Sequence, residues 1–152
     1  MNQANQAKQT NQAKYDTKLY YIKQGVKKHE YEMHRHVNLL GIVNSPKIVN
    51  YDAEKEVMVM EKIDNMNVSD YYDEFAKGVP KPLMKKIQKI IKTLYDNNIV
   101  YPDITGYNFI EFDGKVWIID FEHAEFKPLV SHEDEHVKLF IDGYHEWNPE
   151  FR

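Results

Sequence analysis

Three oxygen-bearing side chains occur at suggestive intervals in the second half of the chain: Asp103, Asn108 and Asp120. Asp120 follows an apolar run, residues 116–119, that is typical of a strand. A strand that ends on a carboxylate delivers it to the rim of a sheet, and the loop before it can place Asp103 and Asn108 opposite. Magnesium prefers oxygen ligands of this kind together with phosphate. The pattern therefore predicts a site for phosphoryl transfer, which needs a metal and a base that orients the attacking hydroxyl.

Each of these residues also has an ordinary interpretation. Asp103 follows Pro102, and aspartate next to proline is usually a turn or cap residue. Asn108 alone fits a turn, and Asp120 alone fits the end of a strand. Taken singly, these interpretations are favoured. The combined spacing, order and flanking strands favour a functional site.

At these residues the sequence resembles the protein-kinase-like superfamily. Residues 101–108 read YPDITGYN and residues 120–122 read DFE, where the superfamily has H-x-D-h-x-x-x-N and D-F-G. The resemblance is closest to the RIO-type atypical kinases and related small kinases, which carry Ser or Thr where Thr105 stands. It implies an α+β, minimal protein-kinase-like fold with a reduced β-rich N-lobe and a small helical C-lobe. The chain also looks like a truncated kinase of the sort that compact viral genomes carry.

The resemblance also implies roles for individual residues. Asp103 would accept or orient the proton of the substrate hydroxyl, while Asn108 and Asp120 would hold Mg²⁺. Lys23 would bind the α and β phosphates of ATP and would be braced by Glu30. The adenine ring would hydrogen-bond to backbone groups of the hinge, which are those of Glu61, Lys62 and Ile63.

The pairing of Lys23 with Glu30 has alternatives. Lys23 ends a predicted strand, where an exposed lysine is common. Glu30 borders the apolar face of the first predicted helix, and Glu32 is an alternative partner. The two residues are seven positions apart, a shorter spacing than the superfamily usually has.

These features predict an ATP- and Mg²⁺-dependent phosphotransferase, acting on Ser/Thr in protein or on a small-molecule hydroxyl. The alternative is a pseudokinase that binds nucleotide or a partner. It is motivated by the missing glycine-rich loop, because Gly25 is the first glycine of the sequence. Tyr101 replaces the usual histidine, and Glu122 replaces the glycine of D-F-G. The acid at Glu122 could help to hold metal or could repel phosphate.

A weaker alternative is a zinc hydrolase. Residues 132–136 read HEDEH, which satisfies the H-E-x-x-H pattern with His132 and His136 as ligands. The acidic residues inside the motif, and the lack of an obvious third ligand, favour instead a helix start matched to the helix dipole.

Composition bounds the remaining possibilities. The chain has 152 residues, no cysteine and a net charge of −4, so neither disulfides nor non-specific nucleic-acid binding are expected. It contains no apolar run of membrane-spanning length and no apolar signal core. We therefore expect a soluble, intracellular protein, cytoplasmic by default, without membrane contact. The polar, repetitive residues 1–14 are predicted to be disordered, and residues 15–152 to form one kinase-like domain (15–63 N-lobe and hinge, 64–152 C-lobe).

Periodicity and breaker residues predict the elements that would carry these groups. Strands are expected at 18–24, 47–51, 56–60 and 99–100. Helices are expected at 26–40, at 68–75 with Asn67 or Ser69 as cap, at 80–97, and at 129–143 with Ser131 as cap. Trp147 and Phe151 are expected to dock on the body. The long helix has lysines largely off its apolar stripe, which are interpreted as a solvated face in preference to a basic partner patch: Lys85, Lys86, Lys89 and Lys92.

Overall fold

The computed structural model describes residues 15–127 and 134–151. The prediction of disorder at residues 1–14 therefore lies outside the described residues. Three antiparallel strands form the N-lobe sheet in the order β1-β3-β2. They are β1 (Tyr20–Lys23), β2 (Ile48–Asp52) and β3 (Val57–Glu61). Helix α1 (Lys28–Leu40) lies between β1 and β2 in the chain.

The remaining elements build a mainly helical C-lobe below the sheet. The helices are α2 (Val68–Tyr71), α3 (Lys81–Asp96) and α4 (Glu135–Ile141). The short strands are β4 (Ile99–Val100), β5 (Phe109–Phe112), β6 (Lys115–Ile118) and β7 (Glu125–Phe126). β5 pairs with β6, and β4 pairs with β7, both antiparallel. The α+β, minimal kinase-like arrangement predicted from the sequence is confirmed.

Helix α1 buries most of the face that hydrophobic spacing indicates, since Met33 and Val37 are fully buried. The helix ends at Gly41, whose left-handed backbone (φ 62°) lets its N–H donate to the carbonyl of Val37. Leu40, at the end of the same apolar spacing, is 40% exposed, whereas His34 is fully buried. Glu30 is also buried. The buried face of the helix therefore contains two ionisable side chains in addition to apolar ones.

Helix α3 supplies the centre of the C-lobe core. Its stripe residues Leu83, Ile87, Ile91 and Leu94 are almost completely buried, as the periodicity predicted. Burial of each such side chain contributes about 1.5–3 kcal/mol. Strand β4 and the loop that follows α3 are therefore next to the most fully buried part of the C-lobe core.

Helices α1 and α3 match the predicted bounds to within two residues, whereas α2 and α4 differ more. Helix α2 ends at Tyr71, four residues early, although Asn67 does cap it by accepting the N–H of Asp70. Within the described residues α4 begins at Glu135, and Asp134 is its cap because its carboxylate accepts two backbone N–H groups. The predicted cap Ser131 lies outside the described residues.

The C-terminal aromatic residues dock as predicted. Trp147 is 2% exposed and its ring lies 6.4 Å from that of Phe140. Phe151 is partly buried with its ring 5.3 Å from that of His123. Between them Asn148 donates its side-chain amide to the carbonyl of Pro102 at 2.8 Å. The tail thus braces the loop that precedes β5.

Main-chain and side-chain contacts connect the two lobes behind the hinge. The N–H of Ile118 in β6 donates to the carbonyl of Asn44, which follows α1, at 2.9 Å. Nε2 of His29 lies 2.7 Å from the carbonyl oxygen of Ala124. Helix α1 is therefore attached to the C-lobe at both ends. No helix in the described ranges is both long and apolar enough to cross a bilayer.

Candidate active site

A cleft of about 370 Å³ separates the N-lobe sheet from the C-lobe. Lys23, Met60 and Ile63 line it from above, and Asn108 and Asp120 line it from below. Its size lies within the range of about 300–1,000 Å³ that is usual for small-ligand sites. Apolar walls with a few convergent polar groups are the usual features of a ligand pocket.

An ion-paired lysine lies at the inner end of this cleft. Nζ of Lys23, at the end of β1, lies 2.6 Å from a carboxylate oxygen of Glu30 and 3.5 Å from one of Asp120. The spacing of seven residues is sufficient because Gly25, with φ 70°, turns the chain directly into α1. The alternative partner Glu32 is exposed and faces outward. The structure thus brings together three of the residues that the sequence singled out.

Charge and burial act against each other in this group. Burial alone would lower the pKa of Lys23, but the carboxylates of Asp120 and Glu30 outweigh it and raise that pKa. Burial raises the pKa of Glu30, and the hydrogen bond from Lys23 only partly offsets this. The lysine therefore stays protonated and can attract phosphate oxygens.

The loop between β4 and β5 places Asp103 and Asn108. The hydroxyl of Thr105 accepts the N–H of Tyr107 and caps one turn of 3₁₀ helix, Gly106–Asn108. The side-chain amide of Asn108 then donates to the carbonyl of Asp103 at 2.8 Å. Burial raises the pKa of the Asp103 carboxyl, while the hydrogen bond with Asn108 lowers it. A carboxylate of raised pKa is better suited to take up a proton.

The loop is joined to the strand end that carries Asp120. The N–H of Ile119 donates to the carbonyl of Asn108 at 3.0 Å. Tyr101 is almost fully buried, and its hydroxyl donates to the carbonyl of Asp120. Burial raises the pKa of Tyr101 well above its ordinary value, so the hydroxyl remains a donor. Asn108 and Asp120 thereby lie together on the floor of the cleft, and Asp103 is tied to Asn108 beside it.

The hinge residues line the cleft, but their backbone donors are not equally available. The N–H of Glu61 donates to Lys47 at 2.9 Å and that of Lys62 donates to Leu19 at 3.0 Å. The N–H of Ile63 has no acceptor among the described residues. The contact of adenine with the hinge backbone stays a prediction, and Ile63 has the N–H that is available for it among the described residues.

Comparison with known proteins identifies the family. The RIO domain family profile matches residues 1–140. The chain belongs to the RIO domain family. The match covers every residue discussed above as part of the cleft.

The relatives are distant in sequence. The KEOPS complex subunit Bud32 of Pyrococcus abyssi is 27% identical over 116 residues, which are 68% of this chain and 53% of that protein. The EKC/KEOPS complex subunit BUD32 of Enterocytozoon bieneusi is 28% identical over 140 residues, covering 72% of this chain and 68% of that protein. A probable bifunctional tRNA threonylcarbamoyladenosine biosynthesis protein of Methanospirillum hungatei is 26% identical, covering 64% of this chain and 21% of that protein. The chain thus spans about half of the first relative and a fifth of the last.

A solved structure shares the fold. The kinase PK-1 of Cydia pomonella granulovirus superposes with a TM-score of 0.53 at 19% identity, over 76% of this chain and 46% of that one. Together with the family match, this supports a kinase-like protein of the RIO type.

The RIO domain carries a third carboxylate beside the ion pair. Carboxylate oxygens of Glu30, Asp120 and Glu122 all lie within 4.8 Å of one another. The N–H of Glu122 donates to Oδ1 of Asp120 at 2.9 Å, which orients that carboxylate. Oxygen donors from Asp120 and the amide of Asn108 suit a hard divalent cation. The chemistry of this donor set therefore fits Mg²⁺.

Sequence reasoning missed His34, which packs behind the site. Its ring lies 4.9 Å from that of Phe121, and Nε2 lies 2.7 Å from the carbonyl oxygen of Pro46. Burial lowers its pKa to about 4, so the imidazole is neutral. Hydrophobic spacing alone places no histidine on the buried face of a helix. The position of His34 four residues after Glu30, on the same helix face, was the signal that could have revealed it.

The zinc alternative involves residues that are only partly described. His132 lies outside the described residues. His136 lies in α4, where its ring is 6.2 Å from Phe140 and 6.3 Å from Tyr144. Its surroundings among the described residues are those of a packed aromatic side chain.

Proposed function

We propose that this RIO-domain protein is an ATP- and Mg²⁺-dependent phosphotransferase that acts on Ser or Thr hydroxyls of a protein. The observation that carries the proposal is the Lys23–Glu30 ion pair at 2.6 Å, with Asp120 adjacent, at the inner end of the cleft. A protonated lysine braced by a buried carboxylate is the arrangement that phosphoryl transfer requires for holding nucleotide phosphates.

Each residue has a proposed task. Lys23 holds the phosphates of ATP, and Glu30 fixes the position of its ammonium group. Asp103 accepts the proton of the attacking hydroxyl. Asn108 and Asp120 hold Mg²⁺, which would neutralise charge on the transferred group. The backbone of the hinge (Glu61, Lys62 and Ile63) flanks the adenine, with the N–H of Ile63 as its donor.

Nucleotide binding is tested first by thermal unfolding with and without Mg²⁺-ATP. A ligand at a hundredfold excess over its dissociation constant adds about 2.7 kcal/mol of stability. We expect a Mg²⁺-dependent rise in melting temperature for the wild type and none for Asp120→Asn. Asp113→Asn is the matched control, because Asp113 is an exposed aspartate in the β5–β6 turn, away from the cleft lining. A rise that survives Asp120→Asn would contradict the proposed metal site.

Transfer is tested next with γ-labelled ATP and a serine- and threonine-containing protein. We expect label on the acceptor with the wild type and none with Asp103→Asn, while the nucleotide-dependent thermal shift is retained. If Asp103→Asn transferred phosphate at the wild-type rate, Asp103 would not be the residue that accepts the proton of the hydroxyl. Label on a small-molecule hydroxyl, with none on protein, would assign the chain to small-molecule kinases.

The second candidate is a pseudokinase. It is favoured by the N-lobe sheet, which has three strands in the described part of the chain. A nucleotide shift without transfer to any acceptor, together with partner binding unaffected by Asp103→Asn, would support this function.

A protein partner is also proposed. Two of the relatives are named as subunits of the KEOPS or EKC/KEOPS complex. One relative is named for tRNA threonylcarbamoyladenosine biosynthesis, but the net charge of −4 favours contact with protein over direct contact with nucleic acid.

A further inference from the structure

Helix α3 concentrates positive charge on the side facing away from the core. Five lysines lie on it before the first acidic residue, Asp96, in a chain whose net charge is −4. They are Lys81, Lys85, Lys86, Lys89 and Lys92. The sequence alone favoured a solvated face, because charges belong on the outer side of an amphipathic helix.

The structure shows that some of these lysines border a groove. Lys86 and Lys89 of α3 converge there with Lys115 of β6, around a cavity of about 280 Å³. Its floor is aliphatic, with partly buried Ile42 and Ile90 packed on the core. A simple solvated face would have lysines pointing apart over polar surface. Here two elements bring ammonium groups to the rim of an apolar depression.

The ammonium groups of the three rim lysines form no ion pair and no hydrogen bond with another described residue, although the Lys89 carbonyl accepts the Thr93 hydroxyl. Their neighbour Lys92 differs, since its Nζ lies 2.7 Å from a carboxylate oxygen of Asp96. Like charges grouped without counter-charges create a local positive potential that favours an anionic ligand. The charge of the groove is therefore uncompensated within the part of the chain that the structure describes.

The groove is separate from the cleft. It lies at the turn end of the β5–β6 hairpin, beside Gly114, whereas the other end of β6 leads to Asp120. Six residues of extended chain span about 20 Å. A ligand in the groove therefore leaves the cleft open, and the inference does not depend on phosphotransfer.

We propose that this groove binds a short acidic segment of a protein partner, with carboxylates on the three rim lysines and one aliphatic side chain on the floor. Among the residues that the structure describes, the lining contains neither arginine nor an aromatic side chain. Nucleic-acid sites commonly use both, for bidentate phosphate contacts and for base stacking. An acidic and aliphatic peptide matches the charge and the floor together.

The test measures binding of a short fluorescein-labelled peptide of aspartate and glutamate with one central leucine, by fluorescence anisotropy at low salt. The groove variant is Lys86→Gln/Lys89→Gln/Lys115→Gln. The matched control, Lys81→Gln/Lys85→Gln/Lys92→Gln, removes the same number of charges from lysines of α3 outside the groove. Glutamine keeps a high helix propensity at the five α3 positions, and Lys115 is an exposed residue of β6, so both variants should fold. Circular dichroism melting checks this.

We expect the groove variant to bind the peptide about tenfold more weakly than the control variant, which is consistent with losing several exposed ion pairs. Replacing the peptide leucine by serine should weaken binding to the wild type several-fold and leave binding to the groove variant unchanged. Equal losses of peptide affinity in both triple variants would show that binding depends on overall charge, and would contradict a binding site in the groove. If a single-stranded RNA bound more tightly than the peptide and depended on the same three lysines, the ligand would be nucleic acid and the peptide proposal would be wrong. The proposal would also be wrong if the peptide did not bind at millimolar concentration.

Discussion

Replacing Lys23 by methionine should destabilise the protein in a manner that depends on pH. The change removes the ammonium group 2.6 Å from Glu30 and 3.5 Å from Asp120, but it keeps most of the aliphatic volume. Glu30 and Asp120 are then left beside Glu122, with all three carboxylates within 4.8 Å. A buried carboxylate without its partner is strongly unfavourable, because it has given up its hydration and received no compensating charge.

The size of the effect follows from burial. Removing one partner of a fully buried ion pair costs about 3–5 kcal/mol. The Glu30 side chain is 5% exposed but that of Lys23 is 24% exposed, so water can partly replace the ammonium group and we expect about 2–3 kcal/mol. For a chain of this length that corresponds to a fall in melting temperature of about 5–10 °C.

The pH dependence has a definite sign. In the wild type burial raises the pKa of Glu30, and only Lys23 opposes that shift. Without Lys23 the remaining influences all raise the pKa, so the folded state takes up a proton at a higher pH than the unfolded state does. The variant therefore gains stability relative to the wild type as pH falls through the raised pKa of Glu30 toward its ordinary value near 4.5.

The assay is thermal or urea unfolding of the wild type and the variant at pH 8 and at pH 5.5, without nucleotide. The deficit of Lys23→Met should be greatest at pH 8 and smaller at pH 5.5, and Lys23→Met/Glu30→Gln should recover stability at pH 8. The matched control is Lys27→Met, because Lys27 pairs with Glu56 at the surface with 78% of its side chain exposed; it should unfold like the wild type. Equal stability of Lys23→Met and wild type at pH 8, or a deficit unchanged by pH and by Glu30→Gln, would refute the reasoning.

Three further substitutions test the surroundings of the cleft. Tyr101→Phe removes the hydroxyl that donates to the Asp120 carbonyl, so it should cost about 1–3 kcal/mol in urea unfolding; an unchanged midpoint would contradict that bond. His34→Gln should flatten the pH dependence of the free energy of unfolding between about pH 6.5 and pH 4. Burial lowers the pKa of His34 to about 4, so the wild type loses up to about 1.4 kcal/mol of stability per pH unit as the pH falls through this range. Equal slopes for the two proteins would show that the His34 imidazole is accessible to solvent. Gly106→Ala places a Cβ against the Ser69 hydroxyl and should lower the free energy of unfolding by about 1–3 kcal/mol. Adding Ser69→Ala should restore part of the melting temperature, and no recovery would show that the clash with Ser69 is not the cause.

The sequence was informative where a pattern is local. Helical spacing predicted the buried stripe of α3, and the loop and strand-end motif predicted the neighbourhood of Asp103, Asn108 and Asp120. It also predicted the Lys23–Glu30 contact, although the short spacing between them was a reason for doubt. The geometry resolves that doubt because the left-handed Gly25 lets the chain turn directly from strand to helix.

The sequence was less informative where partners are distant in the chain or polar residues are buried. Hydrophobic periodicity treats histidine as a surface residue, so it missed the burial of His34 against Phe121. Strand β7 was not predicted, since it is exposed, carries no apolar pattern and depends on pairing with Ile99 and Val100, more than 20 residues earlier in the chain. The hydrogen bond from the Tyr101 hydroxyl to the Asp120 carbonyl joins residues 19 positions apart, so it forms only in the folded chain.

The attachment of helix α1 has a consequence for the position of Lys23. Its Glu30 is positioned by the turn at Gly25, its far end leads into the contact between Asn44 and Ile118, and His29 contacts the carbonyl of Ala124. Rotating the helix outward would break all of these contacts at once, so the cleft has its lysine aligned before any ligand arrives. The described contacts thus all favour the position of helix α1 in which Glu30 is paired with Lys23.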